Sequence, residues 1–363
     1  MYFLFSIINA VIYISHTQIY SKRLKYLPFI TARIMKICLY QELENYLKKS
    51  GIGTAVEHQR IALNLNEVEW TTDTSAHFDL IHINTIGPKS LYFAKKMKAK
   101  GKKVIMHAHT TVEDFKNSFW FSNTLAYPLS KYLKYFYNHA DLVICTAEYT
   151  RHVLIERGVT SELKVISNGI DVERFKNIGQ KRGLSREKYS LDGIVPFSLG
   201  HVFARKGVPT FVNVAKKFPN TFIWFGTIYQ KMGSMGMKKL VQNSPNNVIF
   251  PGYVDNITAY SSGDIFFFPT TCEHQPFAVL EAIAAKKPML LRDIPAFEGW
   301  LVHNENCLKA RDEDGFTQQL SELIDNKQLR NKLVRNAYRL ADTYSLKKVG
   351  STLKEAYQYV LTQ

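Results

Sequence analysis

The sequence predicts an α/β protein made of two doubly wound domains that face each other across a cleft. Short apolar runs bounded by turn residues alternate with longer segments of helical spacing, which is typical of βα units that build a parallel sheet covered on both faces. The pattern pauses over residues 175–192, which are rich in glycine, lysine and arginine, and then restarts. The length of 363 residues agrees, since about 150 residues per domain gives two domains. Ligands of such domains bind at the carboxyl ends of the strands.

Each half of the chain contains five predicted strands. In the first half they cover 36–40, 79–84, 103–107, 141–146 and 163–167, with helices over 54–65 and 125–138. In the second half they cover 195–200, 221–226, 248–251, 264–269 and 289–292. Helical segments over 316–324, 329–344 and 346–361 end the chain. The predicted domains are residues 35–180 and 190–344, with a linker within 175–192.

The first 34 residues form a separate N-terminal extension. Residues 1–14 are almost entirely apolar, basic and aromatic residues follow, and the first acidic residue is Glu42. A helix of that apolar length spans about 21 Å, which is short of a hydrocarbon core of about 30 Å. No cationic segment or small-residue cleavage site marks a secretory signal. Two interpretations stay open for 1–34: translation starts at Met35, or the extension is an interfacial membrane anchor.

Composition limits the classes of function. Lysine and arginine (47) exceed aspartate and glutamate (31), so the net charge is +16 and the isoelectric point lies near 9.5. Such a surplus indicates an acidic partner, which could be nucleic acid, an anionic membrane surface or a phosphorylated small substrate. No run of about 18 apolar residues occurs, which excludes a polytopic membrane protein. The four cysteines lie far apart without a C-x-x-C pair, which indicates a reducing compartment rather than a disulfide framework or a zinc ribbon.

An acidic loop and a helix follow the predicted strand 264–269. Glu273 lies in the loop, and Glu281 lies about one and a half turns into the helix. The first backbone N–H groups of that helix, on Phe277, Ala278 and Val279, can hold a phosphate. Glu281 can accept two hydroxyl hydrogen bonds, as from a ribose diol, while Glu273 faces the group beyond the phosphate. Two glutamates at this spacing also occur by chance, but the strand–loop–helix setting favours a functional pair.

Two glycine-containing loops are further candidates for phosphate binding. Residues 200–207 follow the strand 195–200 and carry Arg205 and Lys206, whose charge can stabilise a departing diphosphate. Residues 50–54, with Gly53, open the first helix but lack the G-x-G-x-x-G spacing. No acidic residue follows a second strand as a ribose ligand should, so a nicotinamide enzyme is disfavoured.

Together, these motifs resemble the family-4 retaining glycosyltransferases of GT-B fold from Met35 to the C-terminus. Glu273 and Glu281 match their E-x7-E motif, and residues 200–207 match their G-x5-K-G loop. Segments 83–89, 107–111, 222–226 and 292–301 are similar to the bacterial monoglucosyldiacylglycerol synthases. The resemblance implies a final helix in 345–363 that packs back on the first domain. It also implies transfer of a hexose from a UDP-sugar, UDP-glucose in those synthases, to 1,2-diacylglycerol by a peripheral enzyme at the cytoplasmic face of the cell membrane, with no cofactor required.

The resemblance also implies roles for single residues. Glu281 would bind the donor ribose and Glu273 the transferred hexose, while Arg205 and Lys206 would hold the diphosphate. His109 would contact the sugar near its reacting carbon. The catalytic residues expected in this way are His109, Glu273 and Lys206.

Other positions bear on the same resemblance. Gly53 would let the donor phosphate approach the first domain. The chain departs from the family pattern at His201, where the family often has arginine, and at 274–276, where a small flexible glycine is usual.

No metal site is expected. His107 and His109 point to one face of a strand and could chelate a metal with Glu113 or Asp114, but no further histidine has ligand spacing. The D-x-D string at 312–314 lies in a polar stretch ahead of a helix, where a solvated loop and helix cap is favoured.

Two segments of the first domain are candidates for an anionic membrane surface. The first is a basic amphipathic helix and the residues after it, and the second is the aromatic stretch 115–137, which includes Trp120. The alternatives are a solvated helix face for the first segment and buried core aromatics for the second. The lysines of the first segment are Lys89, Lys95, Lys96, Lys98, Lys100, Lys102 and Lys103.

Three classes of function therefore remain. The favoured one is a lipid glycosyltransferase that binds a nucleotide-sugar donor, a membrane lipid acceptor and an anionic membrane surface. The second is a soluble GT-B enzyme with a polysaccharide or another glycolipid as acceptor, or a sugar-nucleotide epimerase. The third, a protein that binds nucleic acid through its basic surface, is the least favoured. Nucleic acid is not an expected partner, because the basic residues accompany a donor site and no nucleic-acid-binding module is recognisable.

Overall fold

The computed structural model describes residues 35–48, 50–116, 122–228 and 235–363. The predicted extension 1–34 and Trp120 lie outside the described residues. Within the described ranges, no helix is both long enough and apolar enough to cross a bilayer.

The first sheet has six parallel strands in the order β2-β1-β3-β4-β5-β6. The order reverses between β1 and β3, which makes that position the switch point of the sheet. Its strands are β1 (Lys36–Tyr40), β2 (Glu69–Thr71), β3 (Leu80–Ile83), β4 (Lys103–Ala108), β5 (Leu142–Cys145) and β6 (Leu163–Val165). The helices that accompany it are α1 (Glu44–Leu47), α2 (Gly51–Asn64), α3 (Pro88–Ala99), α4 (Val112–Phe115), α5 (Ser122–Tyr137), α6 (Glu148–Glu156) and α7 (Val172–Phe175).

The second sheet also has six parallel strands, in the order β12-β11-β10-β7-β8-β9. Its switch point lies between β7 and β10. Its strands are β7 (Pro196–Leu199), β8 (Phe222–Phe225), β9 (Val248–Gly252), β10 (Ile265–Phe268), β11 (Met289–Arg292) and β12 (Leu308–Ala310). The helices that follow α7 are α8 (Arg182–Lys188), α9 (Val208–Ala215), α10 (Met235–Gln242), α11 (Asn256–Ser262), α12 (Phe277–Ala284), α13 (Glu313–Asp325), α14 (Lys327–Thr343) and α15 (Leu346–Thr362).

These two parallel sheets confirm the predicted doubly wound α/β class. Central strands such as β3, β8 and β10 are buried along their whole length, which explains their continuous apolar sequence. The strands β2 and β12, of three residues each, were not predicted. Each lies at the edge of its sheet, where a short strand leaves little periodic signal.

The segment 175–192, predicted as a linker, lies between the last strand of the first sheet and the first strand of the second, and most of it is helical. A 3-10 helix, Ile178–Lys181, leads into α8. Arg182 and Arg186 of α8 both form ion pairs with Asp264, at 2.6 and 2.9 Å. Asp264 also accepts a hydrogen bond from the backbone N–H of Val195 at 3.0 Å. Two of the basic residues of this segment therefore tie it to the second sheet.

The last helix, α15, packs against α2 beside the first sheet. Gly350 makes this approach possible, because a Cβ at that position would lie 2.1 Å from the carbonyl oxygen of Ala62. Residues of this helix therefore reach the interior beside β3, where the hydroxyl of Tyr357 lies 2.8 Å from Nδ1 of His82.

Candidate active site

One cleft collects most of the candidate catalytic and donor-binding residues. It has a volume of about 450 Å³ and lies at the carboxyl ends of both sheets, within the single compact unit Lys36–Gln363. The first sheet contributes His109, Thr146 and Asn168, which follow β4, β5 and β6. The second sheet contributes Lys206 and Glu281. The predicted cleft between two doubly wound domains is thus present.

The loops after β7 and β10 lie side by side, because these two strands are neighbours at the switch point of the second sheet. The ammonium group of Lys206 forms a short ion pair with Oε1 of Glu273, and both side chains are largely buried. Thr270 donates a hydrogen bond to the same oxygen at 2.8 Å. Arg205 lies 4.0 Å from it and donates to the carbonyl of Cys272 at 2.8 Å. Three residues predicted to act together, Arg205, Lys206 and Glu273, are therefore in one cluster.

Gly207 explains why the basic loop ends in glycine. Its φ of +82° favours glycine, and a Cβ there would lie 2.2 Å from the carbonyl oxygen of Pro269. The glycine therefore permits the close approach of the basic loop to the acidic loop.

Glu281 is a buried carboxylate with an incomplete hydrogen-bond set. Its Oε1 accepts a hydrogen bond from Nδ2 of Asn256, while its Oε2 has no partner among the described residues. The hydroxyl of the neighbouring Tyr260 donates to the carbonyl of Ala278 at 2.6 Å. Burial raises the pKa of Glu281 to about 7. The side chain lines the cleft, so a hydroxyl group of a ligand could supply the missing hydrogen bond.

The start of α12 differs in one residue from the prediction. Phe277 and Ala278 line the cleft, as a phosphate-binding helix start requires. The N–H of Val279, however, donates to the carbonyl of Pro276 at 3.1 Å, and its side chain is fully buried in the core. Val279 is therefore not a cleft donor, because the first turn of the helix uses its N–H.

For Gly53, which is expected to let the donor phosphate approach, the structure shows a role in packing. A Cβ on Gly53 would lie 2.3 Å from the carbonyl oxygen of Leu47, so the glycine serves packing between α1 and α2. Its N–H is bound by the side chain of Ser50, the N-cap of α2. Gly51, which has open space around it, lines the cleft instead.

His109 lies in the wall of the cleft and is held by Asn84. Its Nε2 is 3.1 Å from Oδ1 of Asn84, and its ring stacks on His107 with a centroid distance of 4.1 Å. Burial, with a further contribution from the nearby His274, lowers the pKa of His109 to about 3. The imidazole is therefore neutral at physiological pH.

His274 and Gln275, two of the residues at which the chain departs from the family pattern, fasten the acidic loop to the first sheet. His274 is hydrogen-bonded to the hydroxyls of Thr111 and Thr150, at 3.2 and 3.0 Å. Oε1 of Gln275 accepts a hydrogen bond from the backbone N–H of Asn168 at 2.8 Å. The backbone carbonyl of Gln275 accepts another from the side-chain amide of Asn168 at 2.9 Å. These bonds fix the loop that carries Glu273 in the absence of a ligand. The third departing residue, His201, lines the cleft, and its pKa is lowered by burial and by the charge of Lys206.

The seven lysines do not form one free face. Lys89, Lys95, Lys96 and Lys100 are exposed. The others are engaged or half-buried, because they sit where α3 ends and β4 begins. Lys98 pairs with Asp141 at 3.4 Å, Lys102 donates to the carbonyl of Phe78, and Lys103 is the first residue of β4.

The aromatic stretch is divided in a similar way. Phe136 and Tyr137 are buried in the core of the first sheet, so the core alternative holds for them. Tyr127 and Tyr135 of α5 are exposed, and each lies under a lysine: Lys131 is 4.6 Å and Lys95 is 5.1 Å from the respective ring centroid. Seven exposed lysines and tyrosines of α3 and α5 are called here the α3–α5 surface: Lys89, Lys95, Lys96, Lys131, Tyr92, Tyr127 and Tyr135.

Among the described residues, no group of three or more histidine, cysteine, aspartate and glutamate side chains could hold a metal ion. Asp312 of the D-x-D string caps α13 by accepting from the N–H of Gly315. His107 is committed to a buried hydrogen-bond network rather than to the cleft.

Several residues of the site were missed by sequence reasoning. Asn256 binds Glu281, and Asn84 binds His109. Asn84 directly follows β3, so the rule that polar residues at carboxyl strand ends line the site could have found it. Asn256 is the first residue of α11, and the rule for residues at strand ends does not identify it.

Comparison with known proteins agrees with this geometry. The model "Glycosyltransferase Family 4" matches residues 59–174, and the model "Glycosyl transferases group 1" matches residues 185–340. The chain is 36% identical over 336 residues to the processive diacylglycerol alpha-glucosyltransferase of Acholeplasma laidlawii, covering 90% of this chain and 99% of that protein. It is 26% identical to the alpha-galactosylglucosyldiacylglycerol synthase of Streptococcus pneumoniae, over 65% of this chain and 66% of that protein.

Solved structures share the fold at low identity. Anabaena HepE, solved with UDP and glucose, superposes with a TM-score of 0.74 at 15% identity, over 90% of this chain and all of that one. The sucrose-phosphate synthase of Thermosynechococcus elongatus gives a TM-score of 0.75 at 15% identity, over 90% and 99% of the two chains. The predicted GT-B architecture is confirmed by these neighbours.

The packing role of Gly53 is testable with a matched pair. Gly53→Ala should lower the free energy of unfolding by about 1–3 kcal/mol, because the new methyl group overlaps the carbonyl of Leu47. Gly51→Ala has open space and should leave stability unchanged or raise it by up to about 1 kcal/mol. Urea denaturation measures both. A Gly53→Ala protein that is as stable as wild type but binds nucleotide poorly would restore the expectation of a phosphate-approach role.

The burial of Glu281 predicts a stability cost that depends on pH. The raised pKa means that the folded state binds this proton more tightly than the unfolded state, so stability falls as pH rises from about 4.5 to about 7. At about 1.4 kcal/mol per pKa unit, the loss is about 3 kcal/mol at most. Glu281→Gln should therefore be more stable than wild type at pH 8 and similar at pH 5. The exposed Glu322→Gln is the control, and an equal pH dependence of wild type and Glu281→Gln would contradict the assignment.

Proposed function

This chain belongs to the glycosyltransferases that the family 4 and group 1 models describe, and we propose that it transfers glucose from UDP-glucose to 1,2-diacylglycerol with retention of the anomeric configuration. The observation that carries the proposal is the cluster of Lys206, Arg205 and Glu273 in one cleft. Beside it lies Glu281, of whose two carboxylate oxygens only one is hydrogen-bonded among the described residues. The relative from Acholeplasma laidlawii, which is similar over nearly its whole length, supports glucose and diacylglycerol by its name.

The cleft has a complementary group for each part of a UDP-sugar. Oε2 of Glu281 accepts a ribose hydroxyl, which supplies its missing hydrogen bond. The start of α12, at Phe277 and Ala278, faces the diphosphate, whose charge the helix dipole favours. Lys206 and Arg205 neutralise the same diphosphate. Glu273 then holds the hexose on the far side of these cations.

The reaction depends on stabilisation of the charged leaving group rather than on an additional general base. The diacylglycerol hydroxyl oxygen forms a bond to the anomeric carbon on the face from which the β-phosphate oxygen of UDP departs, and that oxygen takes the hydroxyl proton. Lys206 stabilises the negative charge that develops on the phosphate, and this stabilisation is strong in a cleft of low dielectric. Since UDP-glucose is itself an α-glycoside, the "alpha" in the names of both relatives supports retention.

A lipid acceptor requires contact with a membrane. The α3–α5 surface combines lysines with exposed tyrosines, a composition that suits the headgroup region of an anionic leaflet. We therefore assign the enzyme to the cytoplasmic face of the cell membrane as a peripheral protein. Each lysine near such a surface contributes about 1 kcal/mol, and salt weakens the contribution.

One assay tests donor, acceptor and surface together. The protein is incubated with a panel of labelled sugar nucleotides and vesicles that contain diacylglycerol, with or without an anionic phospholipid. We expect a labelled monoglucosyl lipid of α-configuration from UDP-glucose alone. The rate should be higher with anionic vesicles. It should fall as salt rises, because salt screens the attraction between the lysines of the α3–α5 surface and the anionic lipids.

A matched pair of variants distinguishes the effect of the α3–α5 surface from the effect of net charge. Lys95→Gln/Lys96→Gln should lose vesicle stimulation, whereas Lys332→Gln/Arg335→Gln, which removes the same charge from the exposed face of α14, should retain it. A product on a polysaccharide or another glycolipid, with none on diacylglycerol, would replace the proposed acceptor. Equal rates on anionic and zwitterionic vesicles at low salt would contradict the membrane surface.

A further inference from the structure

A chain of buried polar side chains connects His109 to the interior of the first sheet. Nε2 of His109 is 3.1 Å from Oδ1 of Asn84, which lies at the end of β3. Asn84 and Gln59 of α2 form a reciprocal amide pair: Gln59 Nε2 donates to Asn84 Oδ1 at 2.8 Å, and Asn84 Nδ2 donates to Gln59 Oε1 at 3.0 Å. Asn84 is 1% exposed and Gln59 is 4% exposed, so water does not compete for these bonds.

The chain continues to the last helix of the protein. Gln59 Nε2 lies 3.0 Å from Nδ1 of His107, which is 3.2 Å from Nε2 of His82. Nδ1 of His82 is 2.8 Å from the hydroxyl of Tyr357 on α15. The rings of His82 and His107 are nearly parallel, with an interplanar angle of 6°, and His107 stacks in the same way on His109. Three imidazoles and two amides are therefore fixed in one block.

All members of this block are uncharged at physiological pH. Burial is the main cause that lowers the pKa of His82 to about 3 and that of His107 well below its ordinary value. Burial also raises the pKa of Tyr357 above its ordinary value. A neutral imidazole carries one proton, so the hydrogen bond at one ring nitrogen decides what the other nitrogen can do.

We propose that Asn84 and Gln59 are positioning residues, which hold His109 as the Nε2–H tautomer and present its Nδ1 lone pair to the cleft. The hydrogen bonds with Gln59 fix the orientation of the Asn84 amide, so that Oδ1 of Asn84 is the atom that faces His109. An amide oxygen can only accept a hydrogen bond. Nδ1 of His109 has no hydrogen-bond partner among the described residues, and the half-buried ring lines the cleft.

The consequence concerns the recognition of substrate and rests on the proposed function. His109 accepts a hydrogen bond from a hydroxyl of the bound sugar or of the acceptor, and it donates none. A ligand whose hydroxyl is replaced by hydrogen or fluorine loses this bond, since neither substituent can donate. The block of histidines and amides behind His109 prevents a flip of the ring, which would exchange the positions of its donor and acceptor nitrogens.

The tautomer can be measured without any assumption about the reaction. In a long-range ¹H–¹⁵N correlation spectrum of the whole protein labelled at histidine nitrogens, the His109 signals are identified by their loss in His109→Gln. We expect the pattern of the Nε2–H tautomer in the free protein. A pattern of the Nδ1–H tautomer, which the reversed amide pair would produce, or rapid averaging of the two, would overturn the proposal.

Kinetics test whether the positioning matters for turnover. Asn84→Leu should lower kcat by about 10- to 100-fold with little change in KM, since the ring is misplaced rather than removed. Asn84→Asp keeps an acceptor oxygen and should restore most of kcat at about pH 8.5, where the imidazole stays neutral. Equal losses in both folded variants, or no loss in Asn84→Leu, would contradict a positioning role.

Two further readouts keep the outcomes separate. Tyr357→Phe removes one hydroxyl at the far end of the chain and should shift the His82 signals, whereas Tyr359→Phe, on the exposed face of the same helix, should not. If no sugar nucleotide gives a product, the proposed function fails while the spectrum still decides the tautomer. If product forms but the spectrum shows Nδ1–H, the positioning proposal alone fails.

Discussion

The buried ion pair between Lys206 and Glu273 is the interaction on which the organisation of the site depends. A charged group that loses its partner in a buried position costs several kcal/mol, so the basic loop and the acidic loop must stay together. The neighbouring strands β7 and β10 bring the two loops side by side, and Gly207 allows their backbones to touch. His274 and Gln275 then fasten the acidic loop to the first sheet, so one cluster of contacts joins both halves of the cleft.

Around this pair, the cleft holds two groups whose protonation is set by burial. Glu281 is a buried carboxylate with one unsatisfied oxygen, and burial keeps His109 neutral. A ligand with hydroxyl groups and a diphosphate would supply the missing hydrogen bond of Glu281 and place negative charge beside Lys206. Sites of this kind commonly lower the stability of the free protein in return for preorganised binding.

The sequence was sufficient for the architecture and for the charged residues of the second sheet. The strands before both loops were placed within one residue of each end, because buried parallel strands give continuous apolar runs and functional loops follow their carboxyl ends. Contacts between distant segments were not predictable. The helix within 175–192, the packing role of Gly53, the burial of Lys102 and the Asn84–Gln59 pair each depend on a partner that only the folded chain brings near.

The central claim is that Lys206 acts on the departing diphosphate, and the most direct test is the Lys206→Met variant. Its UDP affinity and its turnover with UDP-glucose and diacylglycerol vesicles are measured on protein shown to be folded. We expect kcat to fall by about 100- to 1,000-fold while the Kd for UDP rises by less than about tenfold, because the charge matters most when the glycosidic bond breaks. A loss of UDP affinity as large as the loss of turnover, or turnover close to that of wild type, would contradict this account.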